Sequence, residues 1–448
     1  MLGIRFNYSI TITQPHFKFE YIDFGQGYWQ WQSKIIISYW EISHLRRILQ
    51  TKEKNLISAG TVVLKNGFRV FFLGAALFSI ISISLWFAIY SGAVDFSVDR
   101  INIFQWHAHE MIFGYSMAVI AGFLITAVGN WTKSNVLDGW KLAVLFLIWS
   151  TGRILLLCGD SYLLVAGITD ISFSVLLLIT LAIPIIAARK WVQLGLLAKV
   201  LLLGIANLFF YLGSFGRFEN GINIGIYAGL FLVIGIIITI SRRVFPFFIE
   251  RGVGYPIQLF NSRLLDICSL LGFLAFFIVE VFYNELGWAN YPAGFMAVVM
   301  TVRIIGWYTP GIWRVPLLWS LFVALMFIDA GFFLFALSPI LGVSKFVSVH
   351  AFAVGGIGVV TLAMMVRVSL GHTGRKIGNP PAHLSWILLL IISAGLVRVV
   401  FPIFAVQYYS VWIGISQLLW VGAFGWFVVS YLPILTTPRI SSADTGGE

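Results

Sequence analysis

The sequence predicts an all-α integral membrane protein: a polytopic bundle of about twelve transmembrane helices with both chain ends on the cytoplasmic side. Three observations carry this expectation. Hydrophobic residues make up 59% of the 448-residue chain and charged residues only 10%, more apolar surface than one soluble core can take in. The apolar residues form long continuous runs, not the short alternating stretches of a transmembrane barrel. In hydrocarbon such a run can pair its backbone only as a helix. Finally, the basic residues gather in alternate loops, which sets the orientation.

Taken in order, residues 1–66 stand apart. They are polar, aromatic and basic, and Ile35–Ile37 is too short for the core of a signal peptide. They read as a small cytoplasmic extension or as the result of a start codon chosen too early. The next methionine, Met111, already lies inside a span, so a shorter chain would need an alternative start codon.

A transmembrane domain over residues 67–435 follows. Its apolar segments lie at roughly 70–92, 107–128, 141–158, 162–187, 194–213, 224–240, 264–283, 290–305, 316–337, 346–369, 384–406 and 410–432. Each is near the ~20 residues a crossing needs, and those at 141–158, 224–240 and 290–305 are short. Residues 436–448 form a polar tail.

Lys133, Arg189, Lys190, Lys199, Arg242, Arg243, Arg251, Arg263, Arg303, Arg314, Arg367, Arg375 and Lys376 follow even-numbered segments. Only Arg100, Arg217 and Lys345 lie in odd-numbered connections. The even side is therefore expected in the cytoplasm. The net charge of +11 sits in these loops, where anionic lipid headgroups explain it and nucleic acid is not called for. Cys158 and Cys268 fall near opposite faces. No internal disulfide is expected, and two thiols do not make a four-thiolate metal site.

Chemistry concentrates in the histidines. His16 and His44 lie in the N-terminal extension, and His383 at the interfacial start of the eleventh segment. His107 and His109 open the second segment in the run Gln105-Trp106-His107-Ala108-His109-Glu110-Met111. His350 lies in the first turns of the tenth, at the same expected external depth. Imidazole is a common ligand for haem iron, copper and zinc. Three of them at one depth beside Glu110 point to a metal or haem site; interfacial histidines bonded to water are the plainer alternative. On an ideal helix positions 107 and 109 diverge by about 200°, so the two rings cannot serve one axis. Either His107 faces the bundle together with Glu110, or the chain at Trp106–His109 is not yet helical. Two separate ligand roles, or one ligand and one water-bonded ring, fit better than one shared metal.

Small residues follow both motifs: Gly114, Ala118, Gly122 and Thr126 in one segment, Gly355, Gly356 and Gly358 in the other. They bring helices close or make room for a flat cofactor. Arg153, Asp170, Glu280, Asp329 and Arg398 fall inside segments, where an ionisable group is expected to pair or to line a polar cavity. Arg153 and Arg398 are candidates to hold an anionic group such as a haem propionate. His372, in Arg367-Val368-Ser369-Leu370-Gly371-His372-Thr373-Gly374-Arg375, lies at the opposite end of the tenth segment, among basic residues that act as membrane anchors or as a second site.

Two long stretches resemble the signatures of one family. Trp106 to Trp131, WHAHEMIFGYSMAVIAGFLITAVGNW, and His350 to Arg375, HAFAVGGIGVVTLAMMVRVSLGHTGR, are similar to the motifs of the NnrS family of bacterial membrane proteins. Phe68 to Phe78 (FRVFFLGAALF) and Arg243 to Phe248 (RVFPFF) resemble further family elements. The resemblance begins at about residue 66 and leaves the N-terminal extension outside. It implies a multi-pass protein of the bacterial inner membrane that binds haem and copper and takes part in the nitric oxide response, often alongside denitrification. Whether the family catalyses a reaction is not implied.

On that basis His107 and His350 are expected as axial ligands of a b-type haem. His109, with Met111, is then the candidate copper ligand, and His107 and His109 are interchangeable in these roles. Glu110 would orient a ligating imidazole or relay protons. His372 is carried over with the second motif. Nitric oxide is the expected ligand. The chain has no CxxCH attachment, soluble redox domain or dinucleotide fingerprint, so any electrons must come from quinol or a respiratory partner. A twelve-span secondary transporter is the alternative, supported by Asp170, Asp329 and Arg398 within spans. Against it, the Gly129–Gly139 loop lacks a Gly-Asp-Arg pattern and the two halves show no repeat.

Overall fold

A computed structural model describes residues 60–95, 99–378 and 380–440. Most of the N-terminal extension and the end of the polar tail lie outside these residues. Among the described residues there is no strand, and a helix stands at every position where an apolar segment was expected. In chain order they are α1 Gly67–Tyr90, α2 Ile103–Thr132, α3 Gly139–Leu155, α4 Asp160–Ala187, α5 Leu194–Ser214 and α6 Gly221–Gly252. They continue as α7 Arg263–Phe282, α8 Asn290–Trp307, α9 Pro316–Leu341, α10 Lys345–His372, α11 Leu384–Val399 and α12 Tyr409–Thr436.

Ten of the described helices are long and apolar enough to cross a bilayer by those criteria alone. The two that fall short are α3, with 17 residues, and α8, whose 18 residues begin on Asn290 and include Arg303. Both belong to the segments already short in sequence. The third short segment, 224–240, is instead part of a 32-residue helix that continues through Arg242, Arg243 and Pro246. Pro246 removes one backbone donor without ending α6.

The apolar residues the bundle leaves outside mark its solvent. Leu164, Ile168 and Ile183 on α4, Leu264 and Leu270 on α7, and Val429 on α12 are all exposed. A surface of this kind belongs in lipid. The inside is equally legible. The hydrophobic stretch of α2 is 78% buried and that of α10 72%, against 61% or less in the other spans. These two helices carry the sequence motifs and run up the middle of the bundle. They are tied directly: the Tyr115 hydroxyl on α2 and Thr361 Oγ1 on α10 are hydrogen-bonded at 2.7 Å.

Both central helices change their winding beside a motif histidine. In α2 the segment Glu110–Ser116 is a π-helix, and Ser116 Oγ donates to the carbonyl of Met111 five residues back at 2.8 Å. In α10 the segment Ala351–Gly358 is a π-helix that begins immediately after His350. Wide turns of this kind concentrate at functional sites. The start of α2 is set by Asn102 and Gln105, which form a reciprocal capping box with two 2.9 Å bonds.

The small residues of both motifs serve packing. A Cβ at Gly114 would collide with Phe78 on α1, and one at Gly355 with Phe327 on α9. The space these glycines free is filled by neighbouring aromatic rings, not left beside the helix. At the other end of α1, the Arg69 guanidinium donates to the carbonyls of Leu435 at 2.6 Å and Thr437 at 2.8 Å. A cation is favourable there because the last carbonyls of α12 lack helical partners and carry the negative end of its dipole.

Candidate functional site

His107 and His109 leave α2 in different directions, and their surroundings differ in kind. His107 is half-buried. Its ring stacks on the Trp86 indole of α1, with centroids 4.6 Å apart and an 11° angle between planes. Its Nδ1 is buried and has no hydrogen-bond partner. An imidazole with an orphaned buried nitrogen is unusual, since burying an unpaired polar atom costs about 1–3 kcal/mol.

His350, on α10, is also half-buried. Its Nδ1 lies 2.6 Å from the Phe346 carbonyl, the bond of an N–H donor. That leaves Nε2 as the lone-pair nitrogen. Arg398 Nη2, from α11, reaches this Nε2 at 3.3 Å and donates to the Tyr409 hydroxyl at 2.9 Å. The structure therefore joins His350 on α10 to Arg398 on α11, while the printed contact of His107 on α2 is with Trp86 on α1. Arg398 has no acid partner among the described residues, and its Nη1 is buried without a hydrogen bond.

His109 is fully buried and has contacts at both nitrogens. Nδ1 donates to Glu110 Oε1 at 3.0 Å, and Nε2 lies 2.9 Å from Asn207 Oδ1 and 3.6 Å from Asp170 Oδ2. Arg153, on α3, donates to Glu110 through Nη1 and to Asp170 through Nη2. The Tyr211 hydroxyl donates to Asp170 Oδ2 at 2.9 Å. Each of these side chains is almost wholly buried. Four helices, α2 to α5, are thus joined by one polar network. It divides the main apolar core from a smaller cluster around Trp86, Trp106 and Phe210.

This arrangement changes the pairing expected from an ideal helix. Glu110 bonds His109, its chain neighbour, and not His107. The π-helix that starts at Glu110 shifts the phase of everything above it relative to the helix below. It also separates the two candidate propionate ligands. Arg153 is held by two carboxylates, whereas Arg398 has no acid partner among the described residues. Met111 packs against the main core. His372 lies at the far end of α10, against the Phe68 ring of α1 at 5.6 Å. The other ionisable residues within spans are partnered: Lys345 pairs with Glu280, and the Thr301 hydroxyl donates to Asp329 Oδ2 at 2.8 Å.

Sequence reasoning did not find Trp86, Asn207, Tyr211 or Tyr409. Asn207 and Tyr211 carry a readable signal, because two polar groups four residues apart share a helix face inside an apolar span. Trp86 and Tyr409 look like ordinary aromatic residues of a membrane interface.

The site fits a haem better than a copper ion. A haem held between two helices needs one lone-pair nitrogen from each of two imidazoles and a cation for its carboxylates; His107 offers an unbonded nitrogen, His350 offers Nε2 once its long 3.3 Å contact with Arg398 is released, and Arg398 supplies the cation. Among the described residues no three His, Cys, Asp or Glu side chains converge as a set that would hold a metal ion. His109 and Met111 are not brought into one, so no step is built on copper.

No curated protein matches the chain. The family model described as NnrS protein matches residues 62–439, which include both histidine motifs, the paired central helices and every described transmembrane segment; the chain belongs to the NnrS family.

Proposed function

We propose that this chain is a haem-binding protein of the bacterial inner membrane that serves the nitric oxide response, in which His107 and His350 would hold a b-type haem. One observation carries the reading. Each of the two most enclosed helices carries a half-buried motif imidazole: His350 lies beside Arg398, which has no acid partner among the described residues, and His107 has a buried nitrogen without a hydrogen bond. When bound, the haem supplies an iron that exchanges electrons and takes diatomic ligands.

The chain's own residues divide the remaining work. The Phe346 carbonyl fixes the His350 tautomer and aims Nε2 at the site. Trp86 holds the His107 ring in plane and covers it from outside. Arg398 supplies the positive charge that a propionate needs, and Tyr409 orients it. Glu110 and Arg153 act one layer away, by fixing the turn of α2 on which His107 stands. Quinol or a respiratory partner is the proposed electron source.

The test is an absorption spectrum of the purified protein with haem quantification. A Soret band and about one haem per chain are expected. His350→Ala should abolish the band while the helical circular-dichroism signal stays unchanged. A wild-type protein purified after haem-sufficient growth and lacking any Soret absorption would end the reading.

A further inference from the structure

We infer that a cavity bordered by α1, α2, α6 and α10, and open on one side, is a docking site for a small uncharged diatomic gas drawn from the bilayer. It lies deeper than the histidines. Val119 on its wall follows His107 by twelve residues, or about 18 Å along a helix, and Val360 follows His350 by ten, or about 15 Å. The same two helices therefore frame the histidine site at one end and the cavity lower down.

Three properties select the occupant. The first is size: the cavity holds about 70 Å³. A cavity of about 150 Å³ takes benzene or xenon, and about 10–15 Å³ suffices for one water. The available space suits two or three heavy atoms.

The second is polarity. Apart from Ser241 and Thr361 the lining is hydrocarbon, including Val119, Ile236 and Val360. Both hydroxyls are already committed. Ser241 Oγ donates to Ile238 O at 3.0 Å, and Thr361 Oγ1 is bonded to Ile357 O at 2.6 Å and to Tyr115 at 2.7 Å. A water here would lack the two to four partners it needs, and the cavity stays dry.

The third is access. The walls are buried, while Phe123, Ile237, Ile240 and Met364 at the mouth are only half-buried. An uncharged diatomic dissolves in hydrocarbon and enters without losing a hydrogen bond. A lipid tail could insert only its tip and would lose chain entropy in doing so.

Naming the gas as nitric oxide rests on the functional reading above; the fit to a small apolar gas does not. Xenon is the probe, applied under pressure to crystals of the purified full chain. An anomalous peak is expected between Val119, Ile236 and Val360. It should vanish in Val360→Phe, which fills the cavity from the wall, and fall in Ile237→Trp, a substitution at the half-buried mouth that should leave folding intact. No wild-type xenon peak, a peak unchanged in both variants, or an ordered acyl chain in the cavity would overturn the inference. Because xenon needs no iron, a peak in a protein without a Soret band would leave the cavity standing and remove only the haem reading.

Discussion

The two sides of the first turns of α2 hold the same kind of side chain in opposite conditions. On one side His107 is half-buried, stacked on Trp86 and left with an unbonded nitrogen. On the other, two residues along, His109 is sealed in a network where Glu110, Arg153, Asp170, Tyr211 and Asn207 satisfy one another. His107 keeps a nitrogen without a hydrogen bond, while His109 already has a partner at each nitrogen. The motif His-Ala-His-Glu thus contains one residue free to bind something and one that holds its helix in place.

The largest expected effect comes from breaking the saturated side. Arg153→Ala strands two buried carboxylates, and removing one member of a buried ion cluster costs about 3–5 kcal/mol. The variant should melt far below wild type in detergent, with much reduced yield. A melting temperature within experimental error of wild type would mean that the network is not the joint described here.

On the open side the effect should be on ligand, not fold. Arg398→Gln removes a charge-assisted partner worth about 1.5–3 kcal/mol. Haem affinity should fall by at least about tenfold with little change in melting temperature. Equal loss of stability in the Arg398 and Arg153 variants would erase the contrast between the two sides. The smallest effect belongs to the tie between the central helices. Tyr115→Phe removes the bond to Thr361, which keeps its bond to Ile357 O. A loss of about 1 kcal/mol is expected in a denaturation series, and the haem spectrum should not move.

Much of the fold was readable because hydropathy is a local property. Each helix from α1 to α12 announces itself by its own composition, including the weakness of α3 and α8. That each central helix would carry a motif histidine near its start was readable from the sequence. The division of labour within His107-Ala108-His109-Glu110 was not. An ideal helix puts Glu110 near His107, and nothing in residues 110–116 signals the π winding that turns it toward His109. Nor does sequence show that Arg153 meets both Glu110 and Asp170, since ion-pair partners on different helices depend on packing and not on spacing. Arg69 was quoted within FRVFFLGAALF, but its role at the end of α12, more than three hundred residues away, exists only in three dimensions.

The paired π segments also constrain how the chain can vary in length. A π turn amounts to one residue more than an α-helix would use over the same stretch. Losing a single residue from Glu110–Ser116 would let α2 tighten into ordinary winding and carry the part above it round by about 100°. His107 would then swing away from His350 although every contact-forming side chain was still encoded. The same holds for Ala351–Gly358 and His350. In these two windows the count of residues, more than their identity, decides whether the imidazoles meet.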